Sequence, residues 1–217
     1  MPVVFSREQA SLSNDQQATE QVIARMSEHI RAAHGDPAVV RVAADCLHLA
    51  GGGHLNPLQR GKAVWYWVKT HVQFVQDDDL IERLFGEHGQ RELLISPILL
   101  LRQAHPKGDC DDFTMAACAL CWELGLSCRI VTIKGDPRDP SRWSHVYAAT
   151  PDLVMDCSHG RRPGWEVPYW FERAEWDPET GAFLGSAGPR TPTRFIPDNG
   201  DYQAEKFTIP GLRGCWA

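Results

Sequence analysis

Cys110 follows Gly108-Asp109 and opens a stretch in which Phe113, Ala117, Leu120, Cys121 and Leu124 recur at helical spacing, with Gly125 as the stop. A cysteine in the first turn of a helix lies among backbone N–H groups without intrahelical partners, at the positive end of the macrodipole. Both favour the thiolate, the nucleophilic form. The same N–H groups can hold the oxyanion that develops when a thiolate attacks an amide carbonyl. Gly108 allows close backbone approach just ahead of the sulfur. Asp109, Asp111 and Asp112 act the other way, because carboxylates oppose a further negative charge beside them. A base is therefore required, and His145 is the best placed of the nine histidines. It opens a strand pattern over 145–150, and Asp156 ends the next one over 153–156. The tight turn at Pro151-Asp152 predicts antiparallel pairing that sets residues 145 and 156 nearly opposite, with Cβ atoms roughly 5 Å apart. Cysteine as nucleophile, histidine as base and aspartate fixing the imidazole tautomer would make a thiol acyl-transfer site.

Other residues compete for chemical roles. Cys118-x-x-Cys121 with Cys128 mimics zinc-ligand spacing, but Cys121 falls on the core face of the helix and packing is the simpler role. Cys157-x-His159 beside Asp156 could ligate a metal, with a plain turn after the strand as the simpler account. Neither metal nor cofactor is expected. Gln103 could donate to the oxyanion, and Asp111 and Trp143 are candidate substrate contacts. An exposed helix position for Gln103 and core packing for Trp143 are the plainer alternatives. Asp77-Asp78-Asp79 lacks the rest of a calcium-loop pattern and reads as a solvated turn in a polar loop, 76–90.

These side chains need a frame. Val22, Ile23, Met26, Ile30 and Ala33 predict a helix from Asp15 to Gly35, and a second runs from Pro37 to about Ala50. Asn56-Pro57-Leu58-Gln59 is a strong helix start, and Leu58, Trp65, Val68 and Val72 share one side of the helix it opens. Ser96-Pro97 caps a short helix ending near Gln103. Cys128 to Lys134 reads as a strand. The sum is α+β: a helical region over 1–55, a core over 56–160 with the Cys110 helix packed on an antiparallel sheet, and an irregular Trp/Pro/Gly-rich extension over 161–217. That extension is pinned by Trp165, Trp170 and Trp176, with short strands near Phe183 and Phe207.

Composition narrows the function classes. The chain has 217 residues, 43% of them hydrophobic and 23% charged, and a net charge of −6 with scattered basic residues. A phosphate-binding face needs clustered basic charge, so nucleic acid is not an expected partner. No apolar run is long enough to cross a bilayer, and the first residues carry no signal-peptide pattern, which together predict a cytoplasmic protein. Seven cysteines, an odd count, argue against a disulfide framework.

Gly108-Asp-Cys-Asp-Asp-Phe113, the helix through Leu124-Gly125-Leu126, the strand Cys128-Arg-Ile-Val131, Ser144-His-Val-Tyr147 and Val154-Met-Asp-Cys-Ser-His-Gly160 resemble the core of the transglutaminase-like superfamily. Trp65-x-Trp67-Val68 through Phe74 and Ser96-Pro-x-x-Leu-Leu101 match it more loosely. The resemblance covers 94–160 firmly and 56–93 in style, and it implies a papain-like core with nucleophile, base and orienting acid at Cys110, His145 and Asp156. Cys157-Ser158 departs from the Pro-Thr that often follows the aspartate in this family, which puts the local turn in question. Short bacterial relatives of this kind resemble cysteine peptidases, and several are encoded in phages and prophages. The implied function is a thiol hydrolase acting on a peptide or isopeptide amide of a peptide or protein substrate. The alternatives are a non-catalytic module of a phage particle, virion-associated and partnered by other particle proteins, or a true protein-glutamine transglutaminase.

Overall fold

The computed structural model describes residues 16–77 and 93–190. Helix α1 (Gln16–Ala33) buries Ile23, Met26, Ile30 and Ala33, the three-and-four spacing of a one-sided helix. Helix α2 (Pro37–Leu49) starts at Asp36, whose side chain accepts from the Ala38 N–H, with proline at the first helical position. Helix α3 (Pro57–His71) carries the full capping box: Asn56 accepts from the Gln59 N–H and Gln59 accepts from the Asn56 N–H. Its buried side holds Val64, Trp65, Trp67 and Val68, whereas Leu58, expected on that side, is 36% exposed. The two-residue strand β1 (Gln73–Phe74) comes next. Ser96 caps α4 (Pro97–Leu100), which stops short of the expected Gln103. Strand β2 (Lys107–Gly108) pairs in parallel with β1 and leads directly into α5 (Cys110–Glu123).

Helix α5 departs from the one-sided helix that its spacing predicts. Every residue from Asp111 to Cys121 is buried. Helices α1, α2, α3 and α4 pack around it on one side and strand β4 packs on the other. Ala116, Ala117, Cys118 and Ala119 are small enough for neighbours to approach on all sides. The helix ends as expected: Gly125 takes φ +66°, and the Leu126 and Gly125 N–H groups return to the Cys121 and Trp122 carbonyls.

Strands β3 (Arg129–Lys134), β4 (His145–Thr150), β5 (Leu153–Met155), β6 (Glu172–Trp176) and β7 (Phe183–Ala187) form one antiparallel sheet in the order β5-β4-β3-β6-β7. The segment read as an irregular extension thus supplies two strands of this sheet, and the strand expected near Phe183 is β7. The strand expected near Phe207 lies outside the described residues. Trp176 faces the helices, fully buried, with its indole N–H donating to Thr132 Oγ1 at 2.9 Å. On the opposite face Val131, Ile133, Tyr147 and Ala149 pack with Trp170 in a second, smaller core. Dense aromatics in 161–176 explain both outcomes, since Trp170 closes one face while Trp176 closes the other.

Leu120 is fully buried in α5 between the two layers. Leu120→Ala should cost roughly 2–5 kcal/mol through the cavity it leaves, and Leu58→Ala about 0.5 kcal/mol or less. Urea denaturation of both variants checks the contrast.

Candidate active site

His145 opens β4 and its Nε2 lies 2.9 Å from Asp156 Oδ2, with the histidine side chain 10% exposed and the aspartate fully buried. Asp156 sits one residue beyond β5. The ladder pairs Ala148 with Met155, so Asp156 comes level with Tyr147 rather than with His145. The two side chains meet diagonally across the pair, a correction to the near-opposite register expected from the turn.

The carboxylate is held by three donors. His145 engages Oδ2, while the Ser158 hydroxyl at 3.1 Å and the His159 backbone N–H at 2.9 Å donate to Oδ1. Burial alone would raise the Asp156 carboxyl. The hydrogen bond and charge of His145, with the His159 N–H, outweigh it and hold the group below the usual carboxylate range. With Asp156 ionised, Nε2 of a neutral His145 carries the proton and Nδ1 keeps its lone pair.

Helix α3 fastens this turn from behind. The Trp65 indole N–H donates to Asp156 O at 3.0 Å and Lys69 Nζ to Ser158 O at 2.9 Å, while the Gly160 N–H closes on Asp156 O. Ser158 therefore makes the turn that the missing Pro-Thr pair had put in question. Trp65, Lys69 and Ser158 did not stand out as site residues in the sequence, and His159 did so only as a possible metal ligand with Cys157.

A chain of ring contacts joins the pair to the start of α5. The His159 ring stands edge-on to His145 with centroids 4.6 Å apart, Phe74 stands edge-on to His159 at 5.2 Å, and Phe113 lies 6.1 Å from Phe74. Phe113 is one turn beyond Cys110. The Asp109 carboxylate, immediately before Cys110, is close enough to raise the His159 pKa, although burial and then His145 bring that group down overall. Cys110 itself is half-buried at the first position of α5.

The aspartates around Cys110 build the helix start. Asp112 is fully buried and accepts from the Ile95 N–H at 2.7 Å and the Asp109 N–H at 3.3 Å. A β-carbon at Gly108 would meet Asp112 Cβ at 2.6 Å, so only glycine fits there. Burial pushes the Asp112 carboxyl well up, with the charges of Asp109 and Asp77 adding to it. Asp77 is buried and accepts from the Leu93 N–H, which corrects its reading as part of a solvated turn; Asp78 and Asp79 lie outside the described residues. Asp111 is 2% exposed and accepts from the Asp112 N–H, a position suited to holding the helix start rather than touching substrate.

The remaining candidates fall elsewhere. Gln103 is exposed just after α4, its N–H on Leu100 O. Trp143 is half-buried against the main core with Lys134 Nζ 4.7 Å from its ring centroid. Cys118 and Cys128 face each other at 3.3 Å, and Cys121 contacts both Cys128 and Met155 Sδ. Cys157 is buried and its thiol is pushed well up, first by burial.

A family model for the transglutaminase-like superfamily matches residues 49–160. The chain belongs to that superfamily. Its members are typically cysteine-based enzymes, and the matched span ends at the turn that carries Asp156. A search of curated proteins returned no match. Among the described residues, no helix is long and apolar enough to cross a membrane.

Two consequences can be measured. A β-carbon at Gly160 would collide with Asp156 O, so Gly160→Ala should cost about 1–3 kcal/mol by overpacking, seen as a lowered melting temperature. Because the folded Asp156 carboxyl lies below its ordinary value of 3.8, its contribution to stability is present above that pH and is lost as pH falls through the folded value. Asp156→Asn should flatten the acid limb of stability against pH; identical acid limbs in variant and wild type would contradict this.

Proposed function

We propose that this protein is a thiol hydrolase that cleaves a peptide or isopeptide amide, with Cys110 as nucleophile, His145 as general base and then acid, and Asp156 as the group that orients the imidazole. The observation that carries the reading is the part-buried His145–Asp156 pair at 2.9 Å, beside a helix that begins with Cys110 and packs on the strand that begins with His145. With Nε2 committed to Asp156, Nδ1 is the nitrogen left to take the thiol proton. The thiolate attacks the amide carbonyl and the amine leaves with the proton returned by His145. Water, deprotonated by the same imidazole, then releases the acyl group. N–H groups at the start of α5 are suited to the oxyanion of both tetrahedral states.

Among the cysteines of the described residues, elimination favours the assignment. Cys46, Cys118, Cys121 and Cys157 are buried with thiols pushed up, for Cys46 chiefly by burial and for Cys118 and Cys121 first by the hydrogen bond with Cys128. Cys128 is the competitor: it is half-buried, and hydrogen bonds from Cys118 and Cys121 pull its thiol down. It stands just before β3, at the opposite end of that strand from Ile133, the residue that pairs with His145.

Cys110→Ala should change stability by about 1 kcal/mol or less and abolish turnover of a peptide-amide library, while Asp156→Asn leaves partial activity because the base is misoriented, not removed. In native wild type, iodoacetamide should label Cys110 first. If Cys128 labels first while Cys110 stays protected, and wild type turns over no amide, Cys110 is a packing residue and the reading fails. Incorporation of a primary amine into a glutamine-containing protein would identify amine transfer in place of hydrolysis.

A further inference from the structure

We infer that His145, Asp156 and His159 form a binding site for a zinc-class divalent cation whose occupancy shuts the site down reversibly. Their ligand atoms all lie within 4.8 Å of one another. Two imidazole nitrogens and one carboxylate oxygen suit Zn²⁺, which binds such atoms at about 2.0–2.2 Å and takes four ligands, leaving one position for water or a thiolate. An all-oxygen set would have favoured calcium or magnesium, and this set does not.

The surroundings of the three residues are those of held ligands. His159 Nδ1 lies 3.1 Å from Ser158 Oγ, which leaves Nε2 for an ion. The same hydroxyl and the His159 N–H fix Asp156 Oδ1, and α3 holds the turn through Trp65 and Lys69. Outer contacts of this kind orient metal-binding imidazoles and carboxylates. The turn itself needs only the backbone of residue 159 and the Ser158 hydroxyl. The His159 ring is surplus to it, yet stands edge-on to His145 at 4.6 Å on the exposed side of the pair. His159, the exposed member of the set, carries the ring that would turn to draw the ligand atoms to tetrahedral spacing. Cys157, the neighbour that sequence spacing had paired with His159, points into the core, and His145 takes its place in the set.

Binding replaces the proton that His145 and Asp156 share. An ion on these atoms removes both the base and its orienting group from the reaction proposed for Cys110. The inhibitory part rests on that proposed reaction; the binding part does not.

Titration of the full chain with zinc chloride by calorimetry, and with cobalt(II) by visible absorption, separates the two. Wild type should bind one ion per chain, with cobalt(II) showing tetrahedral bands. His159→Gln and His159→Phe should each weaken binding at least about 10-fold, with Phe retaining the ring packing as a check on folding by circular dichroism. Cys118→Ser/Cys128→Ser should bind as wild type does. Unchanged affinity in both His159 variants, or loss of binding in the cysteine variant, would overturn the site. Zinc should also stop amide turnover by wild type, chelator should restore it, and His159→Gln should need at least about 10-fold more zinc. Stoichiometric binding with undiminished turnover would overturn the inhibition. If no turnover is found in any form, the calorimetry still decides the site while the hydrolase reading fails separately.

Discussion

The burial of α5 on every side is the constraint on which the rest of the architecture depends. A helix with no solvent face cannot be stabilised by one layer, so a helical layer and a sheet must both close on it. Here α1 to α4 supply one and β4 the other. Burial extends to Asp111, Asp112 and Thr114, so the polar groups of the first turns must find partners inside the protein. Asp112 does so with the Ile95 and Asp109 N–H groups, and the Thr114 hydroxyl donates to Cys110 O at 2.6 Å. The position of the Cys110 backbone is thereby set by packing and hydrogen bonds behind it. The thiol proposed as nucleophile thus stands on a rod that needs little reorganisation to meet a substrate.

Asp156 plays the corresponding part at the edge of the sheet. Leaving an ionised carboxylate buried without donors would cost several kcal/mol, and three donors converge on this one. The same bonds that make its burial tolerable hold His145 in one tautomer and shape the turn that carries His159. Trp65 and Lys69 tie that turn to α3, so the helical layer positions both halves of the site: one through α5, the other through the Asp156–Gly160 turn. Fold stability and site geometry are here properties of the same contacts, and removing a supporting residue such as Trp65 acts on both.

Local chemistry was legible from the residues alone. Capping groups at Asn56 and Ser96, proline at 37, 57 and 97, and glycine at 125 specify where helices begin and end, because they act on backbone groups within four residues. Alternation and a short turn specify β3, β4 and β5 for the same reason. Cys110 at a helix start, His145 at a strand start and Asp156 after the next strand could be read with them, as could the superfamily pattern. Tertiary structure decided the rest. Spacing cannot tell a helix buried all round from one with a single apolar face when its polar residues, Asp111, Asp112 and Thr114, find partners elsewhere in the chain. Nor can it tell that β6 lies beside β3, since that pairing depends on which face each tryptophan covers. The edge-on meeting of His159 with His145 and Phe74 joins segments far apart in the chain, and it arises only when sheet, α3 and the β1-β2 pair are assembled around one buried helix.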